Sequence, residues 1–226
     1  MNELVIAAIL WLVTHLGVSS TSLRGAIVAR TGEGPYLGLY SLLAAASLGL
    51  LIWAYLRAPT FTYMWMPNPD LYWFAKLLMP IACILLVGGF MVRNPTMVGA
   101  EGLLEDAPSE LASGVTRITR HPFQWSVVLW GASHMIANGD TASLVFFSSF
   151  VLLSFAGGYL IDRKKAQAGD GWAAYAAVTS NLPFGAIFTG RNRVVLGELW
   201  LPTLVGLALY ALMYWGHIYL AGVPIV

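Results

Sequence analysis

The chain has 226 residues, of which 58% are hydrophobic and 10% charged, whereas a soluble domain carries roughly 25% charged residues. This composition excludes an ordinary water-soluble globule and predicts helices that face membrane lipid. The net charge of +1 excludes an electrostatic nucleic-acid partner, and the one cysteine, Cys83, excludes an internal disulfide.

Apolar segments long enough to cross a bilayer recur along the whole chain. A helix needs about 20 mostly apolar residues to span the hydrocarbon core. We therefore predict an all-α fold, a polytopic membrane helix bundle that forms a single domain over 1–226. The six predicted spans lie near residues 3–23, 37–57, 70–92, 122–139, 141–161 and 195–220. Between the fourth and fifth, Asn138, Gly139 and Asp140 predict a tight turn.

The basic residues predict the orientation of these spans. The loops after the first, third and fifth spans carry ten of the twelve lysines and arginines, and the opposite side has only Arg57 and Lys76. Basic loops stay in the cytoplasm. The prediction is therefore that both termini lie outside the cytoplasm.

Three of the four histidines, His15, His134 and His217, fall inside predicted spans. An ionisable side chain at membrane depth indicates a functional site, and imidazole is a common ligand of metals and of haem iron. His121 and His134 are separated by roughly 20 Å along one helix, so they cannot bind the same iron. A six-coordinate haem needs two imidazoles from different helices. His15 with His134 satisfies this best, His134 with His217 comes second, and interhelical hydrogen bonding is the alternative role.

Four further residues are candidates for cofactor binding. Trp130 lies four residues before His134 on the same helical face, so we expect it to line a pocket. Arg24 either pairs with a haem propionate or only sets the topology. His121, at the start of the fourth span, either fixes the entrance to that span or bonds a propionate beside Arg120.

Motifs in the first and fourth spans resemble those of the NnrU family. They are His15-Leu-Gly…Ser22-Leu-Arg24, then Arg117-Ile-Thr-Arg120-His121-Pro122, and finally Leu129-Trp130…His134…Ala137-Asn138-Gly139-Asp140. That family comprises bacterial inner-membrane proteins associated with denitrification and nitric oxide metabolism. It is related to the zeta-carotene isomerase of plants and cyanobacteria.

The resemblance implies a haem b whose iron is bound by His15 and His134. It implies either a cis–trans isomerase of a lipophilic polyene or a haem redox protein with a partner in the membrane. It also implies a multi-pass protein of the bacterial inner (cytoplasmic) membrane.

A second resemblance leaves an alternative open. Arg120-His121-Pro122 is similar to a signature of isoprenylcysteine carboxyl methyltransferases, and Tyr175 and Pro183 fit their second motif. The paired glutamates that help to hold S-adenosylmethionine in that motif are replaced here by Asp162-Arg163-Lys164. The alternative function is therefore an S-adenosylmethionine-dependent membrane methyltransferase.

Overall fold

The computed structural model describes residues 1–18, 21–97, 100–104, 108–167, 170–223 and 225, and across these ranges the protein is helical. The predicted all-α class is confirmed for this part of the chain, where the one β-type contact is an isolated bridge, Tyr63–Asp140. The α-helices are α1 Asn2–Leu12, α2 Ser22–Thr31, α3 Glu33–Arg57, α4 Pro69–Met91, α5 Val115–Ile118, α6 Pro122–Asn138, α7 Thr141–Lys165, α8 Asp170–Val178, α9 Gly185–Phe188 and α10 Leu196–Ala221. A π-helical turn, Val13–Val18, continues α1, and Glu101–Leu104 and Pro108–Leu111 are 3₁₀ turns.

In the described part of the chain, four helices, α3, α4, α7 and α10, are long and apolar enough to cross a membrane, and the number rises to five if α1 and α2 form one bent span. These four correspond to the predicted second, third, fifth and sixth spans, so a multi-pass membrane protein is confirmed. The predicted first span, near 3–23, corresponds to Asn2–Val18, which is α1 with its π turn. The axis changes by 71° between this segment and Leu23–Thr31 of α2.

The predicted fourth span is α6, which has 17 residues. At 1.5 Å per residue it is about 26 Å long, a little less than the roughly 30 Å of a hydrocarbon core. The count of six spans and the placement of both termini outside the cytoplasm therefore stay predictions.

The bundle is organised around α6, which packs between α4 and α7, while α10 covers α4 and α1 packs on α3 and α7. Small residues allow these helices to approach closely. A Cβ built on Gly131 of α6 would lie 3.1 Å from the backbone of Phe147 on α7, and one on Gly206 of α10 would lie 2.6 Å from the backbone of Ile84 on α4. The helices that carry the candidate site are therefore in close contact.

The predicted turn between α6 and α7 is confirmed. Gly139 ends α6 with a φ of +70°, and the Asp140 carboxylate accepts a hydrogen bond from the Ser143 N–H at 2.9 Å, which caps α7. The loop before α4 packs on this turn, since the Trp65 indole donates to the Ile136 carbonyl at 3.0 Å. A Cβ on Gly139 would clash with the Trp65 backbone. The position therefore favours glycine both because of its positive φ and because it has no space for a side chain.

Candidate functional site: the His134–His217 cavity

His134 lies one turn before the end of α6, and its orientation is fixed by a local hydrogen bond. Its Nδ1 lies 2.8 Å from the carbonyl oxygen of Trp130, one turn earlier in the helix. A carbonyl can only accept, so Nδ1 carries the proton and Nε2 carries the lone pair. The ring stacks on Phe147 of α7, with 4.7 Å between ring centroids. The imidazole is therefore held in one tautomer with its ligand-capable nitrogen away from its own helix.

A cavity of about 310 Å³ opens beside His134, between α4, α6 and α10. Its walls are mostly apolar or aromatic, and they include Tyr72 and Met79 from α4 and Tyr210, Met213 and Tyr214 from α10. Lys76 of α4 is the charged group among the described lining residues, none of which carries a carboxylate. The cavity lies where α4 begins and where α6 and α10 end. It therefore combines an apolar interior, two imidazoles and one cation.

The second imidazole of the cavity belongs to His217, near the end of α10. Its Nδ1 lies 2.8 Å from the Val223 carbonyl oxygen, so the same tautomer argument applies. The rings of His134 and His217 have centroids 6.4 Å apart and planes inclined by 26°. The structure thus brings together the pair that the sequence ranked second.

His15 lies in the π-helical turn after α1, and its surroundings are aromatic. Its Nδ1 is 2.9 Å from the Trp11 carbonyl, and its ring lies 3.9 Å from the Trp11 ring and 6.0 Å from Tyr40 of α3. Trp11 contacts Phe150, Phe150 contacts Trp130, and Trp130 contacts His134, with centroid distances of 5.4, 5.4 and 5.2 Å. A continuous path of rings therefore connects His15 to His134, and the pairing of these two as ligands stays a prediction.

Two other predicted cofactor residues, Trp130 and Arg24, contact protein groups, and their roles toward a cofactor stay predictions. Trp130 packs its ring against Phe147 and Phe150 behind His134 and does not line the cavity. Arg24 pairs with Glu33 at 2.5 Å and lies over the Tyr36 ring, at the junction of α2 and α3. Arg24 therefore has a carboxylate partner in the protein itself.

Arg120 and His121 belong to a buried network at the opposite end of α6. His121 is fully buried and its Nε2 lies 2.6 Å from one Asp162 oxygen, while an Arg120 Nη1 donates to the other at 3.3 Å. Arg120 also donates to the Thr179 carbonyl at 2.9 Å. Burial lowers the pKa of the Arg120 guanidinium, an effect that the Asp162 carboxylate opposes. Asp162 therefore supplies a carboxylate partner to both side chains, and a propionate bond from His121 beside Arg120 stays a prediction.

Asp162 also bears on the methyltransferase alternative. It stands where that motif has its paired glutamates, and it is hydrogen-bonded by the two side chains of the Arg-His-Pro sequence. These contacts tie α6 to the end of α7. The Arg-His-Pro sequence therefore makes structural contacts in this network.

Comparison with known proteins decides the family. The family described as NnrU protein matches residues 3–225, which is nearly the whole chain. The chain belongs to the NnrU family. This match confirms the resemblance seen in the His15, Arg120-His121-Pro122 and His134 motifs, and it does not favour the methyltransferase alternative.

A curated relative of this NnrU family member is the chloroplastic 15-cis-zeta-carotene isomerase of Arabidopsis thaliana. The two sequences are 31% identical over 81 residues, which is 35% of this chain and 22% of the relative. The match thus spans about a fifth of that protein's length. No solved structure matches the chain.

Sequence reasoning missed three residues of this NnrU family member's polar sites. Lys76 was used only to assign topology, although a charged residue inside a predicted span is itself a signal of function. Asp162 was noted only as a departure from a motif. Glu198 accepts hydrogen bonds from Arg117 at 2.7 and 2.9 Å, and its position at the start of an apolar span was the available signal.

Proposed function

We propose that this protein is a haem b-binding membrane protein that isomerises a double bond of a lipophilic polyene. Membership of the NnrU family and the similarity to 15-cis-zeta-carotene isomerase support the proposal. The observation that carries it is His134, an imidazole of fixed tautomer that lines a mostly apolar cavity between three helices.

The donor groups of the cavity fit a haem. Metal-bound histidines usually donate their second ring N–H to a carbonyl or carboxylate, which fixes the ring and raises its basicity. His134 has this hydrogen bond, and so do His217 and His15. A neutral imidazole in apolar surroundings is a ligand type that holds haem iron. These residues therefore provide suitable donors without needing a charged ligand inside the bundle.

His134 is common to both candidate ligand pairs, and the second ligand is the point on which they differ. The family resemblance implies His15. His134 and His217 both line the cavity, and their ring centroids lie 6.4 Å apart with planes inclined by 26°. The cavity geometry therefore supports His217 as well.

The remaining residues of the cavity have roles that do not depend on that choice. Bound haem would supply a redox-active iron. Tyr72, Met79, Tyr210 and Met213 form the walls that exclude water and confine an apolar chain. Phe147 and the Trp130 carbonyl keep the His134 ring from rotating. A substrate chain in the cavity would lie beside His134.

The proposal is tested by purifying the protein from cells supplied with haem and measuring its optical spectrum and iron content. We expect bound haem b, loss of the low-spin spectrum in His134→Ala, and loss in one of His15→Ala and His217→Ala. His121→Ala is the matched control, since it removes an imidazole from the same helix about 20 Å away. Protein that binds no haem, or a spectrum lost only in His121→Ala, would contradict the proposal.

One observation favours a second candidate function, a haem electron carrier linked to nitric oxide metabolism. His217 lies beside His134, so the two side chains would together hold a haem that supplies electron-transfer chemistry. Incubation of the reduced and oxidised protein with a cis-polyene separates the two functions. Isomerisation in the reduced state supports the isomerase, and no turnover in either state with a stable six-coordinate spectrum supports the carrier.

A further inference from the structure

We propose that the His134–His217 cavity binds a lipophilic molecule that ends in an anionic group, and that Lys76 recognises this group. The inference rests on the proposed function in taking the cavity beside His134 as the substrate chamber. It adds the chemical class of the ligand, a long-chain carboxylate or phosphate, and a residue that determines specificity.

The charge of the cavity argues for an anion. Lys76 lies seven residues after the start of α4, roughly 10 Å along the helix, and its partly buried side chain lines the mostly apolar cavity, where a charge without a partner is costly. In the described part of the chain no carboxylate lies within ion-pairing distance of Lys76, and its ammonium lies over the Trp73 ring at 4.9 Å. The cation–π contact leaves the ammonium able to donate to an anionic oxygen.

The face of α4 that carries Lys76 is shaped for a molecule with both a polar end and an apolar chain. Tyr72, Lys76 and Met79 follow at intervals of four and three residues, so they share one helical face, and all three line the cavity. Across the cavity, Tyr210, Met213 and Tyr214 provide aromatic rings and a thioether that adapt to an apolar chain. The α4 wall thus offers a partner for the polar end, and the α4 and α10 walls together enclose the apolar chain.

The positions of Lys76 and His134 on different helices give the anion a function beyond affinity. Lys76 is on α4, and His134 is on α6. If the anionic end of the ligand is held at Lys76, the distance between Lys76 and His134 fixes which bond of the ligand's apolar chain lies beside His134. Lys76 would therefore select which double bond of a polyene faces the imidazole.

The test uses the full-length protein in liposomes and a hexadecanoic acid that carries a photoreactive diazirine in its chain. The uncharged comparison is the methyl ester of the same probe. The variants are Lys76→Met, Lys76→Arg and the matched control Arg57→Met. Arg57 is the other basic residue at this end of the bundle, it lies over the Trp53 ring at 4.9 Å, and it does not line the cavity.

We expect the acid, and at least tenfold less of the ester, to label peptides that contain Tyr72–Met79 or Tyr210–His217. Lys76→Met should reduce labelling by the acid at least fivefold, while Lys76→Arg and Arg57→Met should retain it. Excess fatty acid and excess dodecyl phosphate are added in separate competitions, and the stronger competitor identifies the carboxylate or the phosphate as the natural end group.

Four results would overturn the inference, and the first three are equal labelling by acid and ester, unchanged labelling in Lys76→Met, and equal losses in Lys76→Met and Arg57→Met. Labelling is measured on protein with and without haem. If only haem-free protein is labelled, haem occupies the same site and its own propionate carboxylate is the anion that Lys76 contacts. This fourth result would rule out a ligand distinct from haem. Because labelling does not require haem, failure of the haem proposal remains distinguishable from failure of this one.

Discussion

Replacement of Asp162 by asparagine should destabilise the protein without changing its cofactor site. Asp162 accepts from His121 at 2.6 Å and from Arg120 at 3.3 Å. Hydrogen bonds to a charged group each contribute about 1.5–3 kcal/mol. Asparagine keeps one acceptor oxygen but loses the charge, and the neighbouring Arg120 keeps its bond to the Thr179 carbonyl.

The expected loss follows from these contacts. The Asp162 side chain is 21% exposed and that of Arg120 11%, so the loss should be smaller than the 3–5 kcal/mol typical of breaking a fully buried pair. We expect a loss of about 2–3 kcal/mol for two weakened charge-assisted bonds. In a chain of this length each kcal/mol lowers the melting temperature by roughly 2–4 °C, so the Tm should fall by about 4–12 °C.

The assay is thermal unfolding of the detergent-solubilised protein, followed by tryptophan fluorescence. Asp70→Asn is the matched control, because Asp70 is an exposed acid in the first turn of α4 and its removal should cost at most about 1 kcal/mol. Equal melting temperatures for the two variants would refute the argument that Asp162 holds Arg120 and His121. A changed haem spectrum in Asp162→Asn alone would refute its separation from the cofactor site.

Two further predictions concern helix packing and capping. Gly206→Ala should cost about 1–3 kcal/mol of stability by overpacking, because the added Cβ would approach the Ile84 backbone. Gly157→Ala is the control, since a Cβ there has nothing within 4 Å, and it should be neutral or slightly stabilising in the same thermal assay. Equal effects of the two substitutions would contradict the close contact of α4 and α10. Asn68→Ala should cost about 1 kcal/mol of stability, because the Asn68 side chain accepts a hydrogen bond from the Leu71 N–H at the start of α4. Asn68→Asp keeps an acceptor oxygen and should retain the wild-type melting temperature. Equal losses of stability in both variants would contradict the helix cap.

The elements that sequence predicted well are those with a strong local signal. The apolar lengths of α3, α4, α7 and α10 and the Asn138-Gly139-Asp140 turn follow from composition and turn chemistry alone. The direction of His15 does not, because it lies in a π-helical turn. Such a turn has more residues than an α-helical one and changes the face on which later side chains lie.

The composition of the candidate site was only partly predictable for a related reason. Sequence spacing shows that Trp130 and His134 share a helical face, but it cannot show which neighbouring helix that face meets. The rotation of α10 brings His217 to His134, and the same packing places Trp130 behind the cavity. His121 likewise found its partner, Asp162, on a helix that follows α6 in the chain, and no local pattern links the two.

The central claim, that His134 binds haem iron, is tested most directly by the optical spectrum of purified His134→Ala beside that of the wild type. Both proteins, compared without haem, should first show a cooperative thermal unfolding transition, since His134 makes its hydrogen bond within its own helix. The account predicts a haem b Soret band and a reducible low-spin spectrum in the wild type and their loss in His134→Ala. A folded His134→Ala protein with the wild-type spectrum, or a wild type that takes up no haem, would contradict it.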